Sequence, residues 1–329
     1  MGRKLPGSLN RRDLMKLSAA ATAMAGLGGL VGPARAADRK RIAIAQPDRT
    51  AAYYQGFMNA AKKAADQYNY EILQSFSGMD AQKQLAELQT WLAGGVDALI
   101  VLALDAKAMG PILAKAHDQH ALFISYANRI EGDDGYIKWN DVDAGTRLGA
   151  YAAKHIKDKL GGKADVGLLT ATGIQVITDR IESTRAAILK ELPDTKFFEA
   201  TALNAPDGLK ATQSMLQAHP ELKVIVSCTD DAALGVRSAY GNSGLPGDNV
   251  LICGFDGAKQ NLELIKAKDP FLQVSAALDI AAIGRRVIEI PNAIWTGGPD
   301  SDIHVQQQYT LVTPETSASD IDGLLAVYG

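Results

Sequence analysis

The chain has 329 residues, of which 47% are hydrophobic and 22% are charged, so it can bury a full core and is too long for one ordinary domain. Its formal net charge is -3, and acidic and basic residues are interspersed along the whole length. The chain therefore lacks the concentrated positive charge that binding to nucleic acid or to an anionic bilayer requires. A small neutral ligand fits this balance of charges better.

The first 36 residues differ in composition from the rest. Residues 10–16 contain paired arginines and a lysine, a Leu/Ala/Gly-rich stretch follows, and Pro33-Ala34-Arg35-Ala36 ends the segment. A basic head, an apolar middle and an Ala-x-Ala exit are typical of a secretory signal, and the paired arginines resemble the twin-arginine export motif. We therefore expect cleavage after residue 36 and a periplasmic location. A membrane anchor is the alternative, although a stable span needs about 20 strongly apolar residues.

From residue 41 onward, short apolar runs alternate with longer helical patterns, which is typical of βαβ units in a parallel sheet covered on both faces. The strand-like runs are 42–46, 70–74, 98–102 and 122–125, then 166–170, 196–200, 224–227, 250–253, 272–276 and 304–312. The helical patterns are 53–67, 81–93, 106–119, 142–159, 174–192, 208–218, 231–240 and 258–267, with one more after Asp279 to about residue 294. The same architecture occurs twice, so the sequence predicts two doubly wound α/β lobes.

Polar and aromatic residues follow the predicted strands, where open α/β sheets bind their ligands. They are Tyr53, Tyr54, Tyr126 and Asn128 in the first half and Arg180, Asp230, Asp256 and Asp279 in the second. A sugar can lie with its apolar C–H face against an aromatic ring, while its hydroxyls bond to carboxylates and to a guanidinium. This set of residue types therefore indicates a polyhydroxylated ligand.

Several of these residues also have a simpler structural interpretation. Asp230 could cap the helix at 231–240, and Arg180 could be a surface charge on its helix. Tyr53 and Tyr54 could pack the opening turn of a helix on the core. Their joint position at equivalent strand ends favours the ligand site.

At these residues the sequence resembles the periplasmic sugar-binding proteins of the ribose/galactose-binding type. Their fold, periplasmic binding protein-like I, is shared with the effector domain of the lactose-repressor family. The matching motifs are Ile42-Ala43-Ile44-Ala45, Tyr53-Tyr54-Gln55-Gly56, Gly94-Gly95-Val96-Asp97, Ala218-His219-Pro220, Thr229-Asp230-Asp231 and Gly254-Phe255-Asp256-Gly257. The resemblance places the family's aromatic pair on Tyr53 and Tyr54, its second-lobe arginine on Arg180 and its strand-end carboxylate on Asp256.

The sequence departs from this pattern at several ligand-binding positions. The family's Asp-Arg pair after the fourth strand reads Tyr126-Ala127, two asparagines become Ala51 and Thr229, and the hinge glutamine falls at or beside Leu278. These changes remove groups that hold a pyranose ring, so the ligand's identity stays open and a smaller or acyclic polyol is allowed.

The resemblance also implies an organisation and partners. One lobe would comprise residues 38–140 plus 279–305 and the other 141–278 plus 306–329, with a three-strand hinge crossing near 140–141, 278–279 and 305–307. Such a protein would be a monomer without cofactor or metal, would deliver its solute to the permease of an ABC transporter in the membrane, and could also serve a chemoreceptor.

Other classes of protein explain the sequence less well. A transcription regulator of this fold needs a DNA-reading helix before the first lobe, where the export signal stands instead. An enzyme would need a catalytic motif, and His117, Asp118 and His120 do not complete a zinc-ligand set. The alternative within the same fold is a different ligand, namely a purine, a furanone signal or a small carboxylate, bound for uptake or for chemosensing. Arg180 and Arg129 could support an anion. Carboxylates in the same cleft would repel such an anion.

The two cysteines, Cys228 and Cys253, end neighbouring apolar runs. Unpaired cysteine is commonly buried, so we expect free thiols, and a disulfide is the alternative in an oxidising compartment.

Overall fold

Short runs of Val, Ile, Leu and Ala form strands that are buried on both faces, because helices cover each side of a mostly parallel sheet. The computed structural model describes residues 39–49, 52–244 and 248–328, and the predicted export signal lies outside these ranges. The strands are β1 (Arg41–Gln46), β2 (Glu71–Phe76), β3 (Ala98–Val101), β4 (Leu122–Tyr126), β5 (Gly135–Trp139), β6 (Val166–Thr170), β7 (Phe197–Thr201), β8 (Val224–Ser227), β9 (Leu251–Asp256), β10 (Leu272–Ala277), β11 (His304–Gln307) and β12 (Thr310–Val312). The helices are α1 (Ala52–Gln67), α2 (Ala81–Ala93), α3 (Gly110–Asp118), α4 (Asp141–Lys159), α5 (Gln175–Glu191), α6 (Ala205–Ala218), α7 (Asp230–Ser243), α8 (Lys259–Lys266), α9 (Ile280–Thr296) and α10 (Ala318–Leu325), with 3₁₀ turns at Ala106–Met109, Asp300–Asp302 and Ala326–Tyr328.

The strands form two six-stranded sheets. The first has the order β11-β5-β4-β3-β1-β2 and is parallel throughout. The second has the order β12-β10-β9-β8-β6-β7, and its strands are parallel except for β12, which runs antiparallel to β10. We call the first sheet with α1, α2, α3 and α9 lobe one, and the second sheet with α4 to α8 and α10 lobe two. The predicted pair of doubly wound lobes is confirmed.

The chain passes between the two sheets at three points. Asn140 separates β5 from α4, residues 278–279 separate β10 from α9, and residues 308–309 separate β11 from β12. The first and third crossings touch, because the Asn140 backbone N–H donates to the Gln307 carbonyl at 3.1 Å. Side chains that flank these crossings therefore lie close to both lobes.

The structure corrects two details of the sequence interpretation. Residues 135–139 form β5, which the apolar pattern did not indicate. The segment 304–312 is not one strand: β11 pairs with β5 in lobe one, whereas β12 pairs with β10 in lobe two. The segment divides because its two halves bond to different sheets, which a local pattern of apolar residues does not encode.

Helices α4 and α5 pack closely in lobe two, and this packing sets the position of Arg180. A Cβ atom added at Gly149 of α4 would lie 2.5 Å from the Thr184 carbonyl oxygen, so only glycine permits this approach. The Thr184 hydroxyl donates to the Gly145 carbonyl at 3.1 Å and ties the helices further. As a result the Arg180 side chain is directed from α5 toward the crossings.

The remaining global features concern the thiols and the membrane. Cys228 and Cys253 are both buried and free, as expected. Among the helices that the structure describes, none has the length and apolar character of a membrane span.

Candidate functional site

Lobe one contributes a polar and aromatic wall at the carboxyl ends of its strands. Gln46 is the last residue of β1 and Tyr126 the last of β4, and both are buried. Tyr53 and Tyr54 lie in the first turn of α1, with ring centroids 5.1 Å apart in an edge-to-face arrangement. Phe57 stacks between Tyr53 and Tyr126, at 6.4 Å and 4.9 Å from their rings. The wall therefore offers aromatic surface with several hydroxyl groups and one amide.

Lobe two contributes the buried guanidinium of Arg180, which is only 5% exposed. Its Nε donates to Asp141 Oδ1 at 2.9 Å, its Nη1 donates to the Cys228 carbonyl at 2.9 Å and pairs with Asp256 Oδ1 at 2.8 Å, and its Nη2 donates to Tyr309 Oη at 2.8 Å. The Tyr309 hydroxyl in turn donates to Asp141 at 2.7 Å. Since a guanidinium has five N–H donors, these four interactions leave one N–H for another group.

The Asp256 carboxylate stands at the end of β9 on an unusual backbone. Its φ is 105°, and the next residue, Gly257, has φ 78°. A positive φ is strained for a residue with a Cβ atom, and such strain commonly marks a functional site. Among the described residues the carboxylate is paired with Arg180 alone, so its second oxygen can accept a bond from a ligand.

Charge and burial keep the tyrosines of this region protonated. Burial raises the pKa of Tyr53 well above its usual range, and the nearby Tyr126, Tyr54 and Asp256 add to the rise. Burial likewise raises the pKa of Tyr54, whose charged neighbours Asp256 and Arg180 belong to lobe two. These tyrosines are therefore neutral hydroxyl groups, and their neighbours show that the two lobes face each other here.

Asp230 lies beneath this region and is bonded within lobe two. Its carboxylate is fully buried and accepts from the backbone N–H groups of Gly257 and Ala258 at 2.9 and 2.7 Å and from the Ser275 hydroxyl at 2.8 Å. The cap of α7 is Thr229 rather than Asp230. Asp230 therefore fixes the turn that carries Asp256.

Asn128 and Asp279 are placed differently. Asn128 is half-buried in the loop after β4, next to Ala127, which has φ 64°. Asp279 is exposed and caps α9 by accepting from the Ala282 N–H at 2.9 Å. Within the described part of the chain, neither side chain is hydrogen-bonded or ion-paired to Tyr53, Arg180 or Asp256.

Three side chains of the wall carry buried polar atoms that have no hydrogen-bond partner among the described residues. The unpaired atoms are the amide nitrogen and amide oxygen of Gln46 and the hydroxyl oxygens of Tyr53 and Tyr126. The Gln46 amide lies beside the Tyr126 hydroxyl, but the two do not meet hydrogen-bond geometry. Because buried polar groups are nearly always bonded, these unpaired atoms indicate a ligand with several hydroxyl groups.

The sequence interpretation missed four residues of this region. The strand-end rule covers only the positions after each predicted strand. It therefore does not reach Gln46, which ends β1, or Asp141 and Tyr309, which lie at crossings between the sheets. Asp231 follows the same predicted strand as Asp230, but only Asp230 is among the predicted site residues. The usable signal for Gln46 was a polar side chain ending an otherwise apolar strand.

Asp231 provides a pH-dependent test of the cleft's charge. Burial raises its pKa from 3.8 to about 6, and the carboxylates of Asp256 and Asp48 add to the rise. Because the folded-state pKa lies above the unfolded one, the stability that Asp231 contributes is fully present below roughly pH 4 and is lost as the pH rises through about 6. We expect the Asp231→Asn variant to escape this loss and to gain about 1 to 3 kcal/mol relative to wild type between roughly pH 4 and pH 7, without added ligand. Urea unfolding across this range measures the difference, and a difference that is constant with pH would contradict the assignment.

Several known proteins are similar to this chain in sequence or in structure. The ribose import binding protein of Bacillus subtilis is 25% identical over 249 residues, covering 74% of this chain and 78% of that protein. The xylitol-binding protein of Mycolicibacterium smegmatis is 27% identical over 267 residues, covering 76% and 72%. A carbohydrate transporter solute-binding protein from Agrobacterium radiobacter, crystallised with D-arabinose, superposes with a TM-score of 0.78 at 21% identity over 88% of this chain and 99% of that one.

Two family models match the chain. The model of the twin-arginine translocation signal matches residues 8–28, in agreement with the predicted export to the periplasm. The model of the periplasmic binding protein domain matches residues 42–299, which include ten of the twelve described strands, from β1 to β10, and exclude β11 and β12. The chain therefore belongs to the periplasmic binding protein domain family.

Proposed function

We propose that this protein is the solute-binding component of an ABC importer and that it captures a monosaccharide or polyol between its two lobes. The observation that carries the proposal is the group of unpaired buried atoms on Gln46, Tyr53 and Tyr126. A hydroxyl both donates and accepts, so one ligand with several hydroxyls can satisfy the amide oxygen, the amide nitrogen and both phenols together. The ribose- and xylitol-binding relatives support this ligand class.

The charges of the cleft favour a neutral ligand over a carboxylate. Arg180 is paired with two carboxylates, Asp141 and Asp256. Asp231 adds negative charge, and burial together with the carboxylates of Asp256 and Asp48 raises its pKa. An anionic ligand would therefore meet net repulsion in a partly desolvated site, where screening by salt is weak.

Each side chain has a role in this proposal. Tyr54 and Tyr53 supply the aromatic face for the C–H surface of the solute, and Gln46 and Tyr126 bond to its hydroxyls. The second oxygen of Asp256 and the remaining N–H of Arg180 bond to hydroxyls from the opposite lobe. Because these contacts come from both lobes, the solute stabilises the closed form.

Delivery follows from closure. The closed lobes present a surface that differs from that of the open form, and the membrane permease can distinguish a loaded protein on that basis. In this proposal the protein is a monomer that binds and releases its solute unchanged.

A thermal-shift panel of pentoses, hexoses and four- to six-carbon polyols tests the proposed ligand class. A solute that binds only the native state at a hundredfold excess over its Kd adds about 2.7 kcal/mol, so we expect at least one compound to raise the Tm by about 5 °C or more. Small carboxylates of the same carbon number are the controls and should give no rise. A larger rise with a carboxylate than with every sugar and polyol would contradict the proposal.

Gln46→Leu separates ligand binding from stability. In the unliganded protein the amide is buried and unpaired, so its removal should leave the free energy of unfolding unchanged or raise it by about 1 kcal/mol. In the complex two hydrogen bonds are lost, so we expect the Kd for the best panel compound to rise about tenfold or more.

Thr212→Val is the matched control, because the Thr212 hydroxyl is also buried and unpaired but lies on α6, whose contacts are with α7 and the second sheet. It should affect stability in the same direction as Gln46→Leu and leave the Kd unchanged. Calorimetric titration and urea unfolding of both variants measure these effects. Equal affinity of Gln46→Leu and wild type would remove Gln46 from the site.

A further inference from the structure

The C-terminal segment leaves lobe two and returns to lobe one beside the cleft. Helix α10 packs against α8, and Ile321 is buried in the core of lobe two. Lys266 pairs with Asp322 and anchors the helix to the same lobe. The following turn, Ala326–Tyr328, then contacts α1 of lobe one.

Within this turn, Tyr328 touches both segments that carry the proposed ligand-binding residues. A Cβ atom added at Gly56, in the same helical turns as Tyr53 and Tyr54, would lie 3.0 Å from Cε1 of Tyr328 and 3.3 Å from Cγ1 of Val327. On the opposite side, the Tyr328 hydroxyl donates to the Gly257 carbonyl at 3.1 Å. One side chain therefore spans from α1 to the turn after Asp256.

The Gly257 peptide needs such support because Asp256 and Gly257 both have positive φ. Asp230 holds the N–H of Gly257, and Tyr328 holds its carbonyl. Burial raises the pKa of Tyr328 and keeps its hydroxyl protonated, so this donor persists across the physiological range.

We propose that Tyr328 is a positioning residue that latches the closed cleft, holding the Asp256 turn in place while its ring packs on α1. The inference rests on the proposed function, since it assumes that a solute binds between the lobes. Because α10 anchors the segment to lobe two, opening of the lobes separates Val327 and Tyr328 from Gly56. The latch therefore acts in the closed form alone and slows release of the solute.

Two variants distinguish the contacts. Tyr328→Phe removes the bond to Gly257 and keeps the ring on Gly56, whereas Tyr328→Ala removes both. Tyr68→Ala is the control, because Tyr68 is exposed and follows the far end of α1. Stopped-flow fluorescence with D-ribose or xylitol, whichever raises the Tm more, gives association and dissociation rates.

We expect solute dissociation to become about threefold faster in Tyr328→Phe, because one hydrogen bond is lost. We expect it to become about tenfold faster in Tyr328→Ala, because the apolar contact of the ring is lost as well. Association rates should stay close to wild type, and Tyr68→Ala should change neither rate. Dissociation rates within twofold of wild type in both variants would overturn the latch. So would a loss of stability in Tyr328→Ala that is equal with and without solute, because that result indicates a structural role only.

Small-angle scattering keeps the two proposals distinguishable. If wild type binds no compound of the panel, the proposed function fails, and the latch is judged on the unliganded chain. Tyr328→Ala should then have a larger radius of gyration than wild type, and equal radii overturn the latch.

Discussion

The buried guanidinium of Arg180 is the constraint on which the arrangement of the site depends. A charge in this environment is tolerated only when it is paired and hydrogen-bonded, and loss of one partner leaves the other uncompensated. Two of its side-chain partners, Asp141 and Tyr309, lie at points where the chain crosses between the sheets, and another, Asp256, ends β9. Electrostatic pairing thus joins the crossings to the cleft.

This constraint also determines what Arg180 can do for a ligand. The sequence interpretation placed it among the ligand-binding residues, and the structure shows that most of its donors serve protein groups. A substitution at Arg180 would leave Asp141 buried without its cation and would alter the folded state as well as binding. The unpaired groups on the opposite wall are neutral, and in the proposed function they favour hydroxyls over anions.

The sequence predicts the parts of this account that depend on local pattern. The alternation of apolar runs with helical periodicity predicts two lobes. The strand-end rule predicts that Tyr53 of one lobe faces Arg180 and Asp256 of the other. The sequence does not predict which partners the buried polar groups bond to. From the sequence, Asp230 fits a helix cap and a ligand-binding residue equally well. Only the approach of the Gly257 turn in the folded chain shows which N–H groups the Asp230 carboxylate accepts from. The exchange of sheets after Gln307 and the return of Tyr328 to α1 are tertiary contacts without a local signature.

The central claim is that hydroxyl groups of a solute bond to the unpaired atoms of lobe one. A crystal structure with the pentose or polyol that gives the largest thermal shift tests this most directly. The account predicts solute oxygens within about 3 Å of the Gln46 amide and of the Tyr126 hydroxyl, with the solute enclosed between Tyr54 and Asp256. A solute bound elsewhere, or a complex in which Gln46 and Tyr126 bond only to protein atoms, would contradict it.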